Sequence, residues 1–289
     1  MKNNLEFRGG LCELPEDLRD FPLGAVFGVE TDLPEEFIVS SVENLKNKNQ
    51  GASDLCSAYA TTYASELQEL DPNGQIIELN PQYQFAFSKR LTGDIDGWGC
   101  DLRTACKSAV VYGSLEQLDY LKGWQGKGTT RDWHNWGADL VYLAEKHKKK
   151  SYFRADLGIG NKFDLIKSAL YKYNSVIVSG LEWKYTHCEN GIIEPNEMQG
   201  FGHAIILIGW KIINGEEYLI IHNSIGNLGD NGRWYLPKTL VDELRFGNYI
   251  FVDLPREEAE FMLKNNIQIT DNWFQRIIKI IKKWLCENS

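Results

Sequence analysis

Gln50-Gly51-Ala52-Ser53-Asp54-Leu55-Cys56-Ser57-Ala58-Tyr59-Ala60 sets an amide side chain six residues before a cysteine. Two pieces follow in order. Gly202-His203-Ala204 opens one apolar run, and His222-Asn223-Ser224-Ile225-Gly226 closes another. A thiol, an imidazole and an amide in that order are the parts of a cysteine nucleophile, its base and the group that orients the base. Taken singly, Cys56 reads equally as a small buried hydrophobe, His203 as a hydrogen-bonded core residue, and Asn223 and Gln50 as turn and loop residues. The ordered set is the specific signal.

The surrounding sequence gives each part a place. Ala58, Ala60, Ala64 and Leu67 recur at near-helical spacing, so a helix is expected over 53–70, with Ser53 or Asp54 as its cap and Asp71-Pro72-Asn73-Gly74 as its stop. Cys56 then sits near a helix N-terminus, where backbone N–H groups and the dipole favour a thiolate. Helices are also expected over 80–90 and 101–112, the latter ended by Gly113. From Ser175 the texture changes to short β-branched runs: 176–178, 204–208, 217–222, 233–236 and 249–252. Asn214-Gly215 marks a hairpin between the second and third of these, which brings His203 and Asn223 to one edge. The chain is read as α+β, a helical first half followed by a strand-rich second half.

Bulk properties exclude other classes. The 289 residues suffice for one large domain or two moderate ones, and 43% hydrophobic content makes the chain globular. A formal net charge of -9 argues against a nucleic-acid partner. Cys12, Cys56, Cys100, Cys106, Cys188 and Cys286 include no CxxC pair, so neither a metal site nor a disulfide scaffold is expected, and no cofactor is called for. No signal-peptide core or spanning segment is visible, which reads as a cytoplasmic protein with reduced thiols; export by another route, or packaging into a particle, would leave no mark in the sequence.

The quoted residues resemble the papain family of cysteine peptidases. The match runs through Gln50-Gly51, Cys56-Ser57-Ala58-Tyr59-Ala60, His203-Ala204 with Gly209-Trp210, and Asn223-Ser224-Ile225-Gly226, in the family's order. Asp96-Gly97-Trp98-Gly99 resembles the family's glycine-rich cleft edge, and Gly113-Ser114-Leu115-Glu116 its Gly-x-x-Glu. The resemblance covers 34–254. It implies a helical lobe and a β-rich lobe with a cleft between them, and hydrolysis of protein or peptide substrates through an acyl-enzyme. Cys56 is then the nucleophile, His203 the base and acid, Asn223 the orienter, and Gln50 a donor to the oxyanion together with the Cys56 backbone N–H. Gly99, Cys100, Phe201, Gly202 and Ala204 would line the substrate cleft, with Cys100 narrowing one edge.

The departures from the family pattern are local. Ser53 stands where secreted members carry a disulfide cysteine. Asp54 and Leu55 replace small residues, and an acid so near raises the thiol pKa or serves as an N-cap. Ile225 replaces a tryptophan that shields the His–Asn contact, which predicts a weaker contact. Gly202 replaces a polar residue. The same site would also serve an acyl or amide transferase, or an amidase acting on cell-wall or isopeptide bonds. A non-catalytic binding or particle-structural protein on this fold is the reading from another class.

The ends lie outside the match. Residues 1–33 read as a leader, either a strap on the surface or a short pro-segment crossing the cleft. Residues 255–289 read as a helical extension. There Trp273, Phe274, Ile277, Ile278, Ile280, Ile281, Trp284 and Leu285 share one helical face, and basic residues take the other. The stretch Trp273–Cys286 is therefore expected to pack on its own domain, or to meet a partner or a membrane surface.

Overall fold

The cysteine of the quoted stretch is the first residue of helix α1, Cys56–Glu66, in a computed structural model that describes residues 9–13, 17, 20–24, 28–40, 42–124, 128–184, 189–255 and 258. The helix starts later and stops earlier than its spacing predicts. Leu55 occupies the N-cap and supplies no side-chain hydrogen bond. Ser53 Oγ instead donates to the Gln50 carbonyl (2.7 Å), and the Asp54 carboxylate turns to other partners, so neither expected cap is used. Asp71 does close a tight turn, its Oδ1 accepting from Asn73 N and Gln75 N at 2.8 Å, but that turn follows a non-helical stretch.

The next two helices keep the capping their sequences suggest. Helix α2, Pro81–Thr92, starts with Asn80 accepting from Tyr83 N and with proline at its first position. Helix α3, Leu102–Val111, is capped by Asp101 accepting from Thr104 N. Three further helices were not expected: α4, Gln117–Gly123, α5, Ala138–Ala144, and α6, Lys162–Tyr173.

One antiparallel sheet supports the second half. Its strands are β1 (Phe37–Ile38), β2 (Ser151–Arg154), β3 (Ile177–Trp183), β4 (Phe201–Ile213), β5 (Glu216–His222), β6 (Arg233–Pro237) and β7 (Asn248–Val252). The order is β2-β7-β3-β4-β5-β6, with β1 added along β4. The expected hairpin forms: Asn214 and Gly215 both take positive φ (52° and 84°), the geometry of a type I′ turn, between β4 and β5. The short strands β1 and β2 had no readable signal.

Two main apolar cores result, beside a small cluster of Ala58, Phe85 and Cys100. The larger joins the sheet to the inner face of α1 through Cys56, Ala60, Tyr63 and Ala64. The smaller gathers Tyr83, Phe87, Leu115, Trp136 and Leu140 among α2, α4 and α5. The expected α+β arrangement of a helical part and a β-rich part is therefore present; α1 packs against the sheet, and α3 and α6 add Leu102, Cys106, Ile166 and Leu170 to the same core. Among the described residues no helix is long and apolar enough to cross a membrane. The expected C-terminal helix at Trp273–Cys286 lies outside the described residues.

A buried ion pair fixes the loop before α1. Glu66, 1% exposed, pairs with Lys48 and accepts from Leu79 N (2.7 Å), while Lys48 Nζ also donates to the Leu79 carbonyl (2.9 Å). Removing one partner strands the other charge in the interior. Glu66→Ala should lower stability by about 3–5 kcal/mol in urea denaturation; a loss below about 1 kcal/mol, the level of an exposed pair, would contradict this placement.

Candidate active site

Two backbone pairings draw the four expected catalytic positions together. Gln50 N donates to the Ser224 carbonyl (2.8 Å) and Gly226 N to the Lys48 carbonyl (2.9 Å), so the loop before α1 runs beside the segment after β5. Across the hairpin Ile206 faces His222, which carries Asn223 to the His203 end of β4. His203 Nε2 and Asn223 Oδ1 lie 2.8 Å apart. Asn223 Oδ1 also accepts from Ser224 N (2.7 Å), which identifies it as the carbonyl oxygen. An oxygen only accepts, so Nε2 carries the proton of the neutral ring and Nδ1 carries the lone pair.

His203 and Asn223 are 0% and 1% exposed. The weaker shielding expected from Ile225 is not found. The Trp183 ring, from β3, lies 5.7 Å from the His203 ring, and Trp234 packs edge-on against Trp183 at 4.9 Å. The protective tryptophan comes from another strand, and Ile225 itself is buried.

The Gln50 amide is held from both sides. Its Oε1 accepts from Ser224 Oγ (2.6 Å) and its Nε2 donates to the Ser53 carbonyl (2.9 Å). This leaves one amide proton for any further acceptor.

Cys56 is also 0% exposed, and the backbone of Gly10 lies against its thiol. Gly10 N donates to Cys56 Sγ at 3.3 Å. Residues 9–12 continue through the cleft as an extended strand. Cys100 N donates to the Gly10 carbonyl (2.9 Å), Cys12 N to the Cys100 carbonyl (3.4 Å), and Leu11 N to the Gly202 carbonyl (3.1 Å), while Trp98 Nε1 bonds the Gly9 carbonyl at 2.8 Å. Leu11 and Cys100 thus form an isolated parallel bridge. The approach is close enough to require glycine at the edge: Gly99 has φ +63°, and a Cβ there would stand 1.8 Å from the Gly10 carbonyl oxygen. A Cβ on Gly202 would meet the Leu11 carbonyl oxygen at 2.5 Å, so a polar side chain has no room there while the strand is in place.

All five expected cleft residues adjoin this strand or the thiol: Gly99, Cys100 and Gly202 border it, Phe201 lies against Gly9, and the Ala204 backbone faces Cys56 Sγ. Cys100 does not narrow the edge as expected. Its side chain turns inward and packs with Ala58 and Phe85. Sequence reading missed the Leu11 pocket, which Gly180, Leu102 and Phe246 form; a Cβ on Gly180 would stand 2.4 Å from Leu11 Cδ2. Only an apolar side chain beside a pair of closely spaced glycines signals such a pocket, and those residues are remote in the chain.

Electrostatics differ from the expectation for a helix N-terminus. Burial pushes the Cys56 thiol up to about 11, against the backbone N–H groups of Ala204, Gly10 and Ser57, which lower it. Asp54 adds only a small further rise. Burial likewise holds His203 down at about 4, against its bond to Asn223, and His222 down at about 4, with Arg233 acting in the same sense. Both histidines are therefore neutral in the folded chain near pH 7. Their unfolded value is about 6.5, so the stability they contribute is complete above that pH and is lost as pH falls towards 4. Protonation of the two buried rings should lower the urea midpoint as pH falls from 6.5 to 4, each histidine removing up to about 3 kcal/mol. A midpoint constant down to pH 4.5 would contradict the burial of these rings.

The comparisons with known proteins agree with the fold. A family model described as papain family cysteine protease matches residues 34–239. The chain is 28% identical over 196 residues to the viral cathepsin of Lymantria dispar multicapsid nuclear polyhedrosis virus, across 64% of this chain and 49% of that protein. It spans about half the length of the viral relatives it matches. Its fold resembles that of xylellain, a cysteine protease from Xylella fastidiosa, with a TM-score of 0.67 at 18% identity, covering 88% of this chain and 99% of that one. It also resembles procathepsin B S9 from Trypanosoma congolense, with a TM-score of 0.59 at 16% identity over 84% and 86% of the two chains. With the family model spanning most of the sequence, the chain belongs to the papain family of cysteine proteases.

Proposed function

We propose that the chain is a cysteine endopeptidase whose own leader occupies its cleft in the resting state. The observation that carries this reading is the segment 9–12, which meets the thiol and four of the five expected cleft residues, Gly99, Cys100, Phe201 and Gly202, through backbone hydrogen bonds or close contact. A peptide substrate has the same backbone groups to offer the same partners. Cys56 Sγ attacks the substrate carbonyl, and its proton passes to His203 Nδ1. Asn223 holds the ring and stabilises the imidazolium through Nε2–H. The remaining Gln50 amide proton and the Cys56 N–H serve the oxyanion. His203 then returns the proton to the leaving amine, and water, deprotonated by the same nitrogen, releases the acyl group.

The thiol pKa supports a dormant resting state. A thiol near 11 beside an imidazole near 4 keeps its proton, so the covered pair is uncharged. Lifting the strand readmits water, which favours the charged forms and brings the two values towards each other. Leu11 in its pocket supports a preference for an apolar residue at the corresponding substrate position.

The leader is held beyond the cleft as well. Asp20, with its side chain 6% exposed, receives two hydrogen bonds from Arg103 (3.0 and 2.8 Å) and one from Tyr249 Oη (3.2 Å). Phe21 packs on Phe153, Arg154 N donates to the Phe21 carbonyl, and Leu23 is in the main core. Residues 20–24 are built into the domain by several side chains, whereas residues 9–12 are held by backbone hydrogen bonds, the Trp98 indole and one buried side chain, Leu11.

Cys56→Ala should abolish cleavage of a peptide library. Leu11→Asp, which drives a charge out of the apolar pocket, should raise cleavage by the full chain at least about tenfold. Unchanged cleavage in Cys56→Ala would overturn the nucleophile, and unchanged cleavage in Leu11→Asp would overturn the resting-state role of the strand. An acyl-transfer activity at the same site would appear as a new amide product when an amine is added.

A further inference from the structure

Asp54, two residues before Cys56, is 3% exposed and lies at the junction of three separate stretches of chain. Its Oδ1 accepts from Arg131 Nη1 (3.0 Å), and its Oδ2 accepts from Arg131 Nη2 (2.8 Å) and from Gly99 N (2.6 Å). Arg131 spends its other donors on the same loop, Nε to the Ile95 carbonyl (2.9 Å) and Nη2 also to the Gly97 carbonyl (2.5 Å). Its guanidinium stacks over Phe85 at 4.9 Å. Burial alone would raise the Asp54 pKa, but the hydrogen bonds from Arg131 and Gly99 outweigh it, and the carboxyl is held below its ordinary value. The pair is therefore ionised, two-pronged and largely shielded from water, the arrangement in which charge-assisted bonds are strong and geometrically strict.

We infer that Asp54 and Arg131 are positioning residues that hold the Gly99–Cys100 cleft edge at a fixed distance from the Cys56 helix, so that the edge can pair with the backbone of an extended peptide. The inference rests on the peptidase reading. The reason lies in the shape of the edge. Residues 94–99 carry Gly97 and Gly99 and have little regular structure, yet Cys100 supplies both backbone hydrogen bonds to residues 10 and 12. A ladder of this kind needs its donor and acceptor placed to a few tenths of an ångström. The ion pair fixes this loop from both ends: Gly99 N on the carboxylate, and the carbonyls of Ile95 and Gly97 on the guanidinium. Asp54 is itself only two residues from the nucleophile, so thiol and edge share one anchor. Neither side chain touches a reacting atom.

Kinetics by substrate length test this in the full chain carrying Leu11→Asp, so that the leader does not compete. Asp54→Asn and Arg131→Lys should raise KM about tenfold for a peptide with three or more residues before the cleaved bond, with kcat within about twofold. For a blocked single-residue ester, which does not reach the edge, KM should stay within about twofold. Equal changes for both substrates, or an unchanged KM for the long peptide, would overturn the inference. Amide hydrogen exchange provides a readout independent of turnover. In the chain with residues 9–12 unaltered, Gly99 and Cys100 should lose protection in Asp54→Asn while the amides of β4 keep theirs. Retained protection at Gly99 would overturn the inference even if the Leu11→Asp chain cleaved neither substrate, a result that would count against the peptidase reading alone.

Discussion

The register of the β4–β5 hairpin is the constraint on which the site depends. A slip of one residue would turn every side chain of the strand to the opposite face. His203 would then leave Asn223, and Trp183 would leave the His203 ring. Two features lock the register. Asn214-Gly215 adopts the positive φ values that a two-residue turn requires, and the apolar faces of both strands are buried in the main core. The amide and thiol on the other side are then aligned by the pairing of 48–50 with 224–226, and that loop is tied to α1 by Lys48 and Glu66. Position is passed along backbone hydrogen bonds, with buried charge pairs at the points where the chain has no regular structure.

The second theme is the opposition between helix dipole and burial at Cys56. A helix N-terminus favours a thiolate by about 1 kcal/mol or somewhat more, whereas removal of water acts more strongly and in the other direction. With residues 9–12 in the cleft, burial wins. The acid expected to disturb the thiol, Asp54, does little because Arg131 neutralises it. In the resting site the thiol and the imidazole are therefore both uncharged, and on the reading proposed above the strand over the thiol governs both access and ionisation.

Much of this was legible in the sequence, and for identifiable reasons. Helices α2 and α3 announce themselves through Asn80-Pro81 and Asp101, whose side chains cap locally. The hairpin is written in Asn214-Gly215. The ordered Gln50, Cys56, His203 and Asn223 were recognisable because they are bound to local elements. What was not legible depends on contacts between distant parts of the chain. Asp54 looked like a cap because its partner Arg131 lies in another stretch. Ile225 looked like a loss of shielding because Trp183 replaces it from β3. The Cys100 side chain looked as if it narrowed the cleft because nothing in its neighbours says that it faces Ala58 and Phe85. The leader gave no periodicity at all, since residues 9–12 are ordered by the edge they lie on.

The most direct test of this account is the rate of iodoacetamide labelling at each cysteine near pH 7, followed by mass spectrometry. In the full chain the exposed Cys12 should react well before Cys56, and Leu11→Asp should accelerate Cys56 at least about tenfold while Cys106, fully buried, stays inert. Rapid labelling of Cys56 in the unmodified chain, or no acceleration in Leu11→Asp, would contradict the claim that the leader strand controls the nucleophile.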